Sequence, residues 1–274
     1  MDSIPHSIGV FVPPAVMQRL LKSATVETLS QIYGRNRDVD TLIRAEVLSR
    51  VESFFGSYFN SLSEFRACLR AARAVVSGSS LLKIIHLIDK WINGDVDIYL
   101  PFDGDRLLDD FLTSQGYTKT GTFDMEDTPN EYRNTGIRYI HSYVRNGKLI
   151  QCIVSNGADS ILPITSFWAT TLFSILSADE LVIAYPQDVF NRVGRIMPAW
   201  SDIEHVASLQ AKYMERGYSI VKTESSFQDP PKTRYFGDDS CVILGYGLEE
   251  DKAARGLVPI VRVLNPALLW REVA

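Results

Sequence analysis

The sequence predicts an α/β (α+β) protein, in which helices flank a mixed sheet and a helical unit precedes it. Residues 1–70 place apolar side chains at spacings of three and four, as amphipathic helices do. From Arg73 onward, short apolar runs alternate with helical segments, which is typical of layered α/β structures. We therefore predict a helical N-terminal unit over residues 1–70 and a second, sheet-containing part over residues 71–274.

The N-terminal unit is predicted to contain several amphipathic helices. Their apolar residues recur with the helical period, and their bounds are Ala15–Lys22, Val26–Ile32, Asp38–Phe55 and Leu62–Arg73. These helices are short, so we expect them to pack on one another and on the second part of the chain.

The second part is predicted to mix strands and helices. The predicted strands are Ala74–Ser77, Asp95–Pro101, Tyr117–Phe123, Ile137–Arg145, Lys148–Ser155, Tyr218–Lys222, Cys241–Gly245 and, as a final candidate, Gly256–Leu264. The predicted helices are Ser79–Lys90, Asp105–Gln115, an apolar helix from Pro163 to about Leu176, short pieces at Glu180–Ala184 and Gln187–Val193, and Ile203–Arg216. Asn146-Gly147 between two alternating runs is the strongest short-range hairpin signal. Polar, proline-containing loops are predicted at 124–134 and 223–237.

Composition and charge exclude several classes of function. The 274 residues carry 28 Lys and Arg against 33 Asp and Glu, a net charge of −5, which disfavours a nucleic-acid or membrane partner. The longest charge-free stretch, Ser160–Ala178, contains a proline and is read as a buried helix. Three widely spaced cysteines fit neither a disulfide framework nor a zinc site, and no secretory signal is visible. We expect an intracellular protein, cytoplasmic or nuclear.

The candidate functional residues lie between Val75 and Leu100. A strand ends in Gly78-Ser79, a helix follows, and the next strand carries Asp95 and Asp97 on one face. Two carboxylates this close repel each other unless a cation lies between them, and oxygen ligands suit Mg²⁺ or Mn²⁺. Gly78 allows close approach of the backbone, and Ser79 at a helix start favours phosphate.

This arrangement resembles the active-site module of the nucleotidyltransferase superfamily that includes DNA polymerase beta. The matching residues are Gly78, Ser79, Asp95 and Asp97. The resemblance implies that Gly78 and Ser79 hold the triphosphate of a nucleoside triphosphate such as ATP, and that Asp95 and Asp97 are the catalytic, metal-binding carboxylates. It covers roughly residues 70–160 and implies a nucleotidyltransferase-like sheet.

One position departs from the family pattern. The family has a third carboxylate on a later strand, where this chain has Gln151. An amide ligates metal weakly and cannot act as a general base. Four residues elsewhere in the sequence are candidates to replace the third carboxylate in space: Asp103, Asp105, His141 and Asp159.

The whole chain also resembles a group of proteins from mushroom-forming fungi. The shared elements are a helical, sometimes F-box-like N-terminus, the turn Val76–Ser79, the acidic strand Asp95–Asp97 with Tyr99 and Pro101, and Ala184-Tyr185-Pro186. This resemblance brings an expectation of fold and no activity.

Two functions remain open from the sequence. The first is Mg²⁺-dependent transfer of a nucleoside monophosphate from a nucleoside triphosphate to a hydroxyl of a small molecule or a protein. The second is a catalytically degenerate protein with the same fold that binds a nucleotide or a partner, with the F-box-like helices docking to a ubiquitin-ligase adaptor. Gln151 favours the second function.

Overall fold

The computed structural model describes residues 12–87, 91, 94–125, 135–200, 205–222, 233–247 and 270–271. The predicted fold class is confirmed: helices and a large mixed sheet make an α+β protein. None of the helices in this described part combines the length and apolar character that crossing a membrane requires.

Within residues 12–71 there are four helices, where the sequence predicts them. They are α1 (Pro14–Ser23), α2 (Val26–Ile32), α3 (Arg37–Phe55) and α4 (Leu62–Ala71). Side chains of Thr25, Asn36 and Ser61 accept hydrogen bonds from the free backbone N–H groups at the starts of α2, α3 and α4. Such caps fix where each helix begins.

The main sheet has eight described strands: β1 (Val75–Ser77), β2 (Asp95–Leu100), β3 (Thr118–Asp124), β4 (Ile137–Arg145), β5 (Lys148–Ser155), β6 (Ser174–Leu176), β7 (Glu180–Ile183) and β11 (Val242–Gly245). Their order across the sheet is β11-β7-β6-β1-β2-β5-β4-β3. Two small sheets pair β8 (Val193–Ile196) with β9 (Ser219–Lys222), and β10 (Thr233–Arg234) with β12 (Trp270–Arg271). The remaining helices are α5 (Ser79–Ile85), α6 (Asp105–Ser114), α7 (Pro186–Phe190) and α8 (His205–Glu215).

Two interfaces within the sheet position the site. β1 runs antiparallel to β2, and β2 runs parallel to β5. The predicted hairpin joins β4 to β5, and its two turn residues, Asn146 and Gly147, have φ values of 50° and 73°. Positive φ at both residues suits Asn-Gly, so the turn fixes the register of β5.

Each face of the central strands packs into its own hydrophobic cluster. Val76, Val96 and Ile98 belong to a large cluster that includes the N-terminal helices. Val75 and Tyr99 belong to a second cluster on the other face. Burial on both faces holds the central strands rigid.

The interpretation of residues 160–184 as helical is wrong. Short 3-10 turns at Leu162–Ser166 and Thr170–Leu172 lead into β6, and the predicted helical piece Glu180–Ala184 is instead strand β7. Likewise α7 ends at Phe190, and Val193 begins β8. A short, fully buried strand is apolar on both faces, so its pattern does not distinguish it from a buried helix.

Other predictions fall partly or wholly outside the described residues. The candidate strand Gly256–Leu264 lies outside them, as do most of the two predicted loops. The predicted helix Ser79–Lys90 is too long: it ends at Ile85, because His86 has a non-helical backbone with φ −109° and ψ 82°. Within the predicted loop 223–237, residues Thr233–Arg234 form β10, which the loop prediction missed.

A buried ion network joins α4 to the turn between β6 and β7. Asp179 accepts hydrogen bonds from Arg66 (2.9 Å) and from Arg70 (2.7 and 3.0 Å), and Arg66 also donates to the Ala178 carbonyl. Burial raises the pKa of Asp179, but the hydrogen bonds and charges of Arg70 and Arg66 outweigh it and hold the pKa below its ordinary value.

We expect Asp179→Asn to lower the free energy of unfolding by about 3–5 kcal/mol near pH 7, because two buried guanidinium groups lose their carboxylate. The depressed pKa means that this stabilisation is present above the ordinary carboxyl pKa and is lost as the pH falls through the folded-state pKa. Urea unfolding near pH 7 and near pH 2 measures both effects.

The matched control is Asp103→Asn, which removes an ion pair with Arg73 whose side chains are 49% and 55% exposed. An exposed pair contributes at most about 1 kcal/mol. Equal losses in the two variants would contradict a stabilising role for the buried network.

Candidate nucleotide and metal site

The turn between β1 and α5 has a backbone that only glycine adopts readily. Gly78 has φ +79° and ψ −157°, a region in which a β-carbon is strained. A β-carbon there would also lie 2.7 Å from Oδ2 of Asp97. The predicted Gly78, Ser79 and Asp97 are therefore brought together, with the carboxylate directly against the glycine.

The strand register places the predicted residues in one row. Ser77 pairs with Asp97 across β1 and β2, and Asp97 pairs with Gln151 across β2 and β5. Paired residues share a face, and Asp95 lies two residues before Asp97 on the same face. All the residues predicted for the site thus meet at one end of the central strands.

The acidic pair is electrostatically unfavourable when alone. Burial, followed by the negative charge of Asp95, raises the pKa of Asp97 well above its ordinary value. The positive charge of Lys212 acts in the opposite direction but does not cancel these effects. The site therefore favours either a proton or a cation between the two carboxylates.

Helix α8 brings residues to the site that the sequence analysis missed. The hydroxyl groups of Tyr213 and Ser79 are hydrogen-bonded to one another, and both side chains are buried. Burial raises the pKa of Tyr213, and the charge of Arg216 opposes this. A helix was predicted here, but no signal in its sequence connects it to a turn more than a hundred residues earlier.

The proposed substitutes for a third carboxylate do not join the row. His141 pairs with Cys152, the residue next to Gln151 on β5. Because successive residues of a strand face opposite sides, the His141 side chain lies on the opposite face of the sheet. Asp103 binds Arg73, and Asp159 accepts a hydrogen bond from the backbone of Ile161. Asp105 lies at the start of α6, near His141, on that opposite side.

The donor set present fits a hard divalent cation. Asp95 and Asp97 offer carboxylate oxygens, and Gln151, beside Asp97, offers an amide oxygen. Oxygen ligands of this kind suit Mg²⁺ or Mn²⁺. Among the described residues there is no group of three or more His, Cys, Asp and Glu side chains that could hold a metal. Substrate phosphates and water would have to complete the coordination.

No protein-family model, curated protein or solved structure matches this chain. The function of this protein must therefore be inferred from the geometry of the site itself.

We expect Asp97→Asn to stabilise the metal-free protein increasingly as the pH rises. The pKa of Asp97 is raised to about 8 in the folded protein, so the folded state binds more protons than the unfolded state between the ordinary carboxyl pKa near 4 and that value. Stability of the wild type therefore falls over this range, and the variant avoids the loss, which amounts to a few kcal/mol at most.

Thermal and urea unfolding from about pH 4 to about pH 9 check this expectation. Asp110→Asn is the control, because Asp110 is exposed on α6 and away from the acidic pair. A difference between Asp97→Asn and wild type that does not grow with pH would contradict the electrostatic account.

Proposed function

We propose that the protein is a Mg²⁺-dependent nucleotidyltransferase that moves a nucleoside monophosphate from a nucleoside triphosphate to a hydroxyl group. The observation that carries the proposal is the convergence of Gly78, Ser79, Asp95 and Asp97 at one end of two paired strands. Each of these residue types suits one part of a metal-bound triphosphate.

The chain's own residues would bind and orient the donor. Gly78 brings the turn against the Asp97 carboxylate, since a β-carbon there would clash with Oδ2. A phosphate held by the turn would therefore lie beside the metal-binding acid. The Ser79 hydroxyl, now hydrogen-bonded to Tyr213, is a donor for a phosphate oxygen. Asp95 and Asp97 would hold Mg²⁺, which supplies neutralisation of the negative charge on the phosphates.

The reaction is an in-line displacement at the α-phosphorus. The acceptor's hydroxyl oxygen forms a bond to this phosphorus, and the bond to the oxygen bridging the α- and β-phosphates breaks. Pyrophosphate leaves with the electron pair, and the hydroxyl proton passes to water. Such transfers depend on positioning and electrostatics more than on covalent participation by the protein.

The acceptor is proposed to be a small molecule or a protein. A net charge of −5 provides no general attraction for a long nucleic acid. Nucleic-acid acceptors are therefore disfavoured.

One observation favours a second candidate, a degenerate protein that binds but does not transfer. Gln151 lies directly beside Asp97, at the position where the resembled family has its third carboxylate. In this case the nucleotide would be retained as a ligand. The exposed Val16 and Leu20 on α1 offer an apolar face for an F-box-like contact with a ubiquitin-ligase adaptor.

We expect Asp95→Asn and Asp97→Asn each to abolish Mg²⁺-dependent binding of nucleoside triphosphates, because each removes half of the charge that attracts the cation. Calorimetric titration of the four nucleoside triphosphates, with and without Mg²⁺, measures this. Asp110→Asn should bind as wild type does, and unchanged binding in both site variants would refute the proposed site.

Gln151→Asp distinguishes the two candidates. A third carboxylate beside Asp97 should tighten Mn²⁺ binding by about tenfold or more. Ser142→Asp is the control, because Ser142 pairs with Gln151 on the same face but lies one strand further from Asp97. Release of pyrophosphate by wild type supports the transferase. Release only after Gln151→Asp supports the degenerate protein, and no gain in Mn²⁺ affinity would contradict the assigned role of this row.

A further inference from the structure

Two cationic side chains contact one tryptophan near the candidate site. The Arg216 guanidinium carbon lies 4.1 Å from the centre of the Trp91 ring, and Lys83 Nζ lies 4.6 Å from the same centre. Arg216 also lies 5.1 Å from the centre of the Tyr213 ring. The Arg216 guanidinium therefore contacts both an indole and a phenol ring, which attract its positive charge.

This cluster continues directly from the glycine-serine turn. Lys83 follows Ser79 by four residues on α5, so both lie on one helix face. Arg216 follows Tyr213 by three residues, just past the end of α8. Ser79 contacts Tyr213. One helical turn further along both chain segments, Lys83 and Arg216 both contact Trp91.

Arg216 has binding capacity that the protein does not use. Its Nη1 atom is buried and has no hydrogen-bond partner in the described part of the chain. A buried donor without an acceptor costs free energy, and a second positive charge at the same ring adds repulsion. Lys83, Trp91 and Arg216 are all partly exposed. A phosphate group on the exposed side of this cluster would offset the repulsion between the two cations, because guanidinium matches two phosphate oxygens at once.

We propose that Arg216 and Lys83, held around Trp91, form a second phosphate-binding site next to Gly78 and Ser79. The existence of this phosphate site is inferred from these contacts alone, whereas its role in nucleotide transfer rests on the proposed function. The phosphate belongs either to the far end of the donor triphosphate or to a phosphorylated acceptor.

The first test uses inorganic tripolyphosphate without metal, titrated calorimetrically into the full chain. Arg216→Gln should weaken its binding by about tenfold or more, and Arg216→Lys, which keeps the charge, by less. Arg192→Gln is the matched control. Arg192 lies 5.5 Å from the Tyr218 ring in the same region, and its loss should change binding by no more than about twofold.

The outcomes separate this site from the proposed function. Tripolyphosphate binding that depends on Arg216 and survives in Asp95→Asn supports the phosphate site, even if wild type does not bind Mg²⁺-ATP. Absence of binding to wild type overturns it. Equal weakening by Arg216→Gln and Arg192→Gln also overturns it, and melting curves of each variant establish that it is folded.

A competition experiment identifies the source of the phosphate. If saturating Mg²⁺-ATP displaces tripolyphosphate, the site holds the terminal phosphate of the donor. If both bind together, the site holds a phosphate of the acceptor. Either result supports the site, provided that Arg216→Gln removes the tripolyphosphate binding.

Discussion

The candidate site depends on the close approach of the Asp97 carboxylate to the backbone at Gly78. Pairing of β1 with β2 places Ser77 opposite Asp97. The backbone of the next residue, Gly78, then leaves the strand in direct contact with the Asp97 carboxylate. Only a residue without a β-carbon leaves space for this, and the positive φ of Gly78 directs the chain into α5. The parallel pairing of β2 with β5 then places Gln151 on the other side of Asp97. A register shift of one residue in either pairing would send Asp97 to the opposite face.

Holding two carboxylates together requires a rigid framework. Hydrophobic clusters on both faces of the central strands provide part of it. The Asp179 network provides another part, because it fastens α4 to the turn between β6 and β7 with buried charged hydrogen bonds. β6 pairs directly with β1, so the position of the N-terminal helices is linked to the strand that ends at Gly78.

Local signals predicted the parts of this structure that local interactions determine. The N-terminal helices follow from their periodicity, and the β4–β5 hairpin follows from Asn146-Gly147. The row of Ser77, Asp97 and Gln151 could be predicted from the sequence, because a single motif contains most of its residues. Strands β6 and β7 could not be predicted from the sequence, since their apolar side chains fit a buried helix equally well. They are strands because β6 pairs with β1 and β7 pairs with β6. The contact of Tyr213 with Ser79 and that of Arg216 with Trp91 join distant parts of the chain, and periodicity carries no information about such contacts.

The balance of charges gives a physical reason for Gln151 within the proposed function. Three carboxylates would attract more divalent cation than two. This site has two carboxylates, one amide and the positive charge of Lys212, while Lys83 and Arg216 lie around Trp91 beyond the glycine-serine turn. Fixed cations and bound metal act on the same negative charge of the phosphates, so a gain in one reduces the need for the other. The transition state of phosphoryl transfer is loose, and a hydroxyl acceptor gains less from a general base than from correct positioning. A neutral side chain beside Asp97 is therefore compatible with transfer when cations of the chain supply part of the charge that a further metal ion would bring.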